Sequence, residues 1–175
     1  DIVHSIDEAL RLVEGEPERG TCADGQLLRP VGSDAPYASP MPLSPALCTL
    51  SLLFSDWGRT GQRDLRVSND RHYYSDYSDG QEQLWRIAPG APPTQYTADD
   101  GWQRVRVEGM GIASQDVTGD GLPEVYLTSQ AASRLETLAV GPARPEYRNM
   151  GHQAGVEGAQ PSVGDEHLPS TAWHP

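Results

Sequence analysis

Residues Asp116-Val117-Thr118-Gly119-Asp120-Gly121-Leu122-Pro123-Glu124 form an oxygen-rich nonamer, and Val125-Tyr126-Leu127-Thr128-Ser129 follow it with side chains in the alternation of a strand. The same text stands 60 positions earlier: Asp56-Trp57-Gly58-Arg59-Thr60-Gly61-Gln62-Arg63-Asp64, then Leu65-Arg66-Val67-Ser68-Asn69, with the apolar positions in register. A turn-rich segment leading into a period of two reads as a hairpin loop and its second strand. Two copies at a fixed offset read as a tandem of like units.

Beyond the strands the match continues at an offset of 51, pairing Leu84 with Leu135, Ile87 with Leu138 and Tyr96 with Tyr147. The first copy therefore carries nine extra residues, assigned to the aromatic, turn-rich stretch His72-Tyr73-Tyr74-Ser75-Asp76-Tyr77-Ser78-Asp79. Insertions of this kind map to surface loops, often on a binding face. The chain divides into residues 1–45, an N-terminal helix and a Pro/Gly-rich coil; 46–109, a first repeat; 110–169, a second; and 170–175, a lead-in to a further repeat.

The nonamers suit a hard cation. Ca²⁺ takes six to eight oxygens, and a loop bent by glycine presents them from alternate positions. In the second loop Asp116, Thr118 and Asp120 occupy positions 1, 3 and 5, Leu122 offers a carbonyl at 7, and Glu124 returns a carboxylate at 9. The first loop is poorer: Asp56, Thr60, Gln62 and Asp64 are its candidate ligands, with Gly58 at position 3. The alternative for the second loop is that Asp120-Gly121 is a plain hairpin turn joining two strands, and for the first a metal-free loop held by Asp and Thr hydrogen bonds to its own backbone.

Asp-x-[Asp/Asn/Thr]-x-Asp-Gly-x-x-[Asp/Glu] followed by an alternating strand resembles the FG-GAP/VCBS repeat of integrin-type β-propellers. The surrounding Leu53-Phe54-Ser55-Asp56-Trp57 and Gly111-Ile112-Ala113-Ser114-Gln115-Asp116 are similar to bacterial relatives of the cartilage acidic protein group. The resemblance covers residues 46–150. It implies two blades of a propeller with calcium loops on one rim, in a secreted, periplasmic or cell-surface protein that recognises a protein or glycan. Two blades leave open edges, which further blades or subunits would cover. The alternative is a structural or accessory subunit of a larger envelope or membrane-associated complex.

Composition narrows the function further. The 175 residues include 18 Gly and 15 Pro with one Phe, which disfavours helix bundles. All 13 basic residues are arginine, and 25 acidic residues set a formal charge of −12, the wrong sign for nucleic acid. The longest apolar stretch, residues 46–54, is too short to span a membrane. Ser5 and Glu8 form a capping box ahead of Ala9, Leu10, Leu12 and Val13, predicting a helix that ends at Gly15. Cys22 and Cys48 bracket a Pro-rich coil. Either they form a disulfide worth roughly 3 kcal/mol in an oxidising compartment, or Cys48 is a buried thiol in the run Ala46-Leu47-Cys48.

No nucleophile elbow, phosphate loop or zinc spacing occurs, and the five histidines are scattered, so no catalytic residues are assigned and the chain is not expected to be an enzyme. His72, Tyr73, Tyr74 and Tyr77 are the candidate binding residues, their rings suited to a sugar face or a protein partner. Trp57, Trp85 and Trp102 are expected between the repeats. Val105 and Val107 are expected on one face of a strand, with Arg104 and Arg106 on the other.

Overall fold

A computed structural model describes residues 24–30, 40–45, 47–70, 82–107, 109–129 and 132–156, together with the backbone pairing of five two-residue strands outside them. Its strands in chain order are β1 (Ile2–Val3), β2 (Leu12–Val13), β3 (Glu16–Pro17), β4 (Gly25–Leu27), β5 (Met41–Leu43), β6 (Thr49–Ser55), β7 (Asp64–Asn69), β8 (Gln83–Arg86), β9 (Thr94–Gln95), β10 (Gly109–Gln115), β11 (Glu124–Ser129), β12 (Arg134–Leu138), β13 (Tyr147–Asn149), β14 (Ser162–Val163) and β15 (Glu166–His167). One short 3₁₀ turn, Ala98–Asp100, precedes Gly101. The fold is all-β. Two four-stranded antiparallel meanders, β6-β7-β8-β9 and β10-β11-β12-β13, carry the two sequence copies, and neither sheet closes on itself.

The copies agree in detail. Thr49 pairs with Asn69 and Ser55 with Asp64; 60 residues on, Gly109 pairs with Ser129 and Gln115 with Glu124. Each first strand bulges at its start, between Thr49 and Ser51 and between Gly109 and Gly111. The fourth strands depart from the expected match. Trp85 faces Gln95 whereas Glu136 faces Asn149, so the return strand sits at an offset of 149 − 95 = 54 rather than 51. The Tyr96 amide donates to the Leu84 carbonyl at 2.8 Å, and the equivalent donor to Leu135 is Met150, at 2.7 Å. Tyr147 is therefore not the register partner of Tyr96. The second hairpin is three residues longer, and a matching tyrosine in a loop of different length misled the alignment.

Strand β7 is buried along its whole length because it is covered on both faces. On one face Leu65 and Val67 cluster with Leu43 of β5 and Trp85 of β8. On the other, Arg66 and Leu84 meet the second sheet: Leu84 packs with Trp57, Tyr96, Trp102 and Leu138, and Leu53 packs on Ile112, Val125 and Leu127. Trp57 and Trp102 thus lie between the repeats as expected, while Trp85 lies on the far face.

The sheets approach closely where β10 begins. A Cβ on Gly109 would stand 2.0 Å from Ser68 Oγ and 3.1 Å from the Asn69 carbonyl oxygen, so only glycine fits. At the counterpart position Thr49 carries a side chain, whose hydroxyl donates to Asn69 Oδ1 at 2.7 Å. Gly109→Ala is expected to lower stability by about 1–3 kcal/mol through forced separation of the sheets. Urea denaturation followed by tryptophan fluorescence measures it, and an unchanged midpoint contradicts the close packing.

Three expectations are corrected or fall outside the described residues. The N-terminal helix is not seen: Ile2–Val3 pair with β4, and Leu12–Val13 pair with Glu16–Pro17, the rest of residues 1–15 lying outside the description. With 3.6-period apolar positions over barely two turns, strand pairing overrides weak local helix propensity. Residues 102–107 form no strand, since Trp102 and Val107 are drawn into the core as the chain crosses from one sheet to the next. The segment 170–175 lies outside the described residues.

Candidate metal centre

The two acidic loops share one backbone plan. Gly61 and Gly121, at position 6 of each, adopt left-handed φ values of 82° and 88°, and position 4 is left-handed too, filled by Gly119 at 77° and by Arg59 at 54°. A left-handed arginine is uncommon and marks a turn imposed by its surroundings. The first aspartate closes each turn. Asp56 accepts from the amides of Thr60 (Oδ1) and Gly61 (Oδ2), both at 2.8 Å; Asp116 accepts from Gly119 (Oδ1) at 2.8 Å and Gly121 (Oδ2) at 2.9 Å. Desolvation opposes charging Asp56, but the amides of Gly61 and Thr60, with the Thr60 hydroxyl and Arg59, together outweigh it and hold the carboxyl below the ordinary value.

The last carboxylate of each loop turns inward. Glu124, 1% exposed, accepts from the amides of Val117 (2.9 Å) and Thr118 (3.1 Å) on Oε2, and from the hydroxyls of Thr118 (3.3 Å) and Thr137 (2.8 Å) on Oε1. A carboxylate has about four lone-pair sites, so these donors saturate it. Asp64, 4% exposed, accepts from Trp57 Nε1 at 2.9 Å and the Tyr96 hydroxyl at 2.7 Å on Oδ2, and from the Ile87 amide at 3.1 Å on Oδ1. Burial, then donation to Asp64, pushes the Tyr96 hydroxyl up to about 12. Both residues are buried polar hubs that tie the loop to its sheet, a role that sequence spacing does not distinguish from ligation.

The expected ligands therefore separate. In the second loop Asp120 uses one oxygen, Oδ1, to accept from the Leu122 amide at 2.8 Å and remains exposed. Asp116 and Asp120 each accept fewer hydrogen bonds than a carboxylate can take, whereas the Thr118 hydroxyl donates to Glu124 and Glu124 is committed to its own donors. In the first loop Asp64 is in the core, Thr60 Oγ1 accepts from the Gln62 amide at 3.2 Å, and the Gln62 side chain donates to the carbonyls of Ile87 and Arg63. At position 3 Gly58 lies close to the second sheet's hairpin: a Cβ there would sit 3.0 Å from the Pro142 carbonyl oxygen, a tight contact that disfavours a side chain. Among the described residues no three His, Cys, Asp or Glu side chains converge as metal ligands. The charged donors available to a cation in the second loop number two, Asp116 and Asp120.

Both loops open at one end of the tandem. Between them lies an open groove of about 470 Å³ lined by Phe54, Asp56, Arg59 and Arg63 of the first copy and Ser114 and Pro123 of the second. A second concavity of about 390 Å³, walled by Tyr96 and Trp102, lies beside the 3₁₀ turn. His72, Tyr73, Tyr74 and Tyr77 lie outside the described residues. So does Cys22; Cys48 is 7% exposed with φ 58°.

Comparison with protein-family models, with curated proteins and with solved structures returns no match for this chain. The fold and site define it as an all-β tandem of two antiparallel four-stranded sheets whose acidic loops share one end. Among the described residues no helix is long and apolar enough to cross a membrane.

Proposed function

We propose that the chain is a noncatalytic, extracytoplasmic recognition module of the FG-GAP/VCBS propeller kind, stabilised by calcium at the second acidic loop and binding a protein or glycan. The observation that carries this reading is the matched construction of the two loops at one end, left-handed at the same two positions and closed by the same aspartate. In this reading Asp116 and Asp120 supply charged oxygens, Thr118 and the Leu122 carbonyl supply neutral ones, and Glu124 anchors the loop from below instead of ligating. The first loop, with Asp64 committed to the core, works as a metal-free turn. A Cys22–Cys48 disulfide belongs to the same reading and would suit an oxidising compartment.

Two carboxylates on an exposed loop place affinity in the range of extracellular modules, about 10⁻⁴–10⁻³ M. Calcium at about 10 mM should then raise the melting temperature by roughly 3–10 °C through binding to the folded state alone. Asp120→Ala should abolish most of that rise while leaving the melting temperature in chelator within about 2 °C of the parent. A parent protein that melts identically in calcium and in chelator refutes the ligand assignment.

A further inference from the structure

We propose that the groove between the two acidic loops binds an acidic sugar residue, its carboxylate or sulfate held by Arg59 and Arg63 and its ring lying on Phe54. This names the glycan class within the recognition reading above and rests on that reading. The groove, about 470 Å³, takes its charge from Asp56, Arg59 and Arg63, two arginines against one aspartate, and is locally cationic in a chain of formal charge −12. The Asp56 carboxylate is turned back on its own loop by the amides of Thr60 and Gly61, both at 2.8 Å. Among the described residues neither guanidinium forms a hydrogen bond or an ion pair, and Asp56 attracts Arg59 only through space. The planar fork of an arginine suits the paired oxygens of a carboxylate or a sulfate.

The internal repeat shows that these charges belong to the first loop alone. Sixty residues on, Arg59 and Arg63 are replaced by Gly119 and Pro123. Gly119 takes a φ of 77° without steric cost, whereas Arg59 holds 54°, a conformation that a side chain of its size rarely adopts. The shared backbone plan favours glycine at position 4, yet the first loop places a cation there, beside the groove. The same loop has drawn Asp64 into the core, so the tandem sets a cation-binding loop next to an anion-binding one. The remaining walls suit a sugar. Phe54, 41% exposed, offers an aromatic face to ring C–H groups. The Ser114 hydroxyl donates to the Glu124 carbonyl at 2.9 Å, which leaves its oxygen to accept from a sugar hydroxyl, and Ser55 adds a second hydroxyl. An acidic peptide would answer the arginines but make no use of these walls.

Calorimetric titration of the whole chain in calcium-free buffer makes the test, and the Nε–H resonances of Arg59 and Arg63 report contact directly. Trigalacturonate and sulfated galactose carry the two anionic groups, galactotriose is the neutral control, and tetraglutamate is the acidic peptide. At least one charged sugar should bind about tenfold or more tightly than galactotriose and tetraglutamate, the tighter of the two naming the group, and its affinity should fall as salt rises from about 50 to 500 mM. Arg63→Gln and Arg59→Gly should each weaken binding about fivefold or more. Arg59→Gly installs the residue that the second loop has at that position, so its melting temperature should equal or exceed the parent's, which separates lost binding from a lost fold. Sugar binding without any calcium-dependent melting shift sinks the metal reading alone. Charged sugars that bind no better than galactotriose or tetraglutamate, or arginine variants that bind as the parent does, overturn this proposal and leave the melting shift standing.

Discussion

Glu136→Ala is expected to cost about 3–5 kcal/mol of folding stability, the largest single-residue effect outside the apolar core. Glu136 lies 1% exposed in the second sheet and pairs with the Arg66 guanidinium of the first, itself 3% exposed at the side chain. The guanidinium lies between two rings, 5.1 Å from the Trp102 centroid and 4.9 Å from that of Tyr147, and its Nε and Nη1 have no hydrogen-bond partner. Its counter-charge therefore comes chiefly from one carboxylate, and truncation strands a buried cation. Arg134, which also reaches Glu136 at 3.2 Å, is 30% exposed and can turn to water. Arg66→Met combined with Glu136→Leu should recover most of the loss, since an apolar pair of similar volume avoids desolvating two charges. Urea denaturation of the parent, Glu136→Ala and the double variant measures both the loss and its recovery. A Glu136→Ala cost under about 1 kcal/mol would show that water reaches the pair.

The second large effect is a dependence on pH through Glu82. This residue is fully buried; Oε1 accepts the Asn69 amide at 3.1 Å and Oε2 has no hydrogen-bond partner. Burial raises its carboxyl from the ordinary 4.5 to about 8, and the attraction of Arg66, already engaged by Glu136, does not offset it. The fold accepts Glu82 in its neutral form. Its contribution is therefore whole below about pH 4.5, where the unfolded chain is also protonated, and declines as pH climbs, until it is lost once the folded carboxyl ionises near pH 8. The fall across that window should be several kcal/mol. Glu82→Gln should flatten this part of the profile and be more stable than the parent at pH 8. Unfolding free energies of both proteins at pH 5, 6.5 and 8 make the test, and parallel profiles would show that Glu82 is charged in the fold.

Much of the repeat was legible because its signals are local. Gly121 after Asp120 announces a bend, and alternation in Leu65–Asn69 and Val125–Ser129 announces strands. The fate of the carboxylates was not legible. Asp64 and Glu124 stand at a ligand's spacing, yet Trp57, Tyr96 and Thr137, residues 7, 32 and 13 positions away, claim their lone pairs. Gly58 read as a weakened ligand position, whereas the close approach of the Pro142 carbonyl across the interface also disfavours a side chain there.

By itself the amino-acid text settled the all-β class, the two copies and the shape of their acidic turns, since backbone conformation at glycines and side-chain alternation depend on near neighbours only. Tertiary structure alone decided the three-residue shift of the fourth strand, the strand pairing of Ile2–Val3, the burial of Arg66 against Glu136 and the exposure of Leu52 and Phe54. Those features arise where segments distant in the chain compete for the same donors and the same apolar area, a competition that no local window contains.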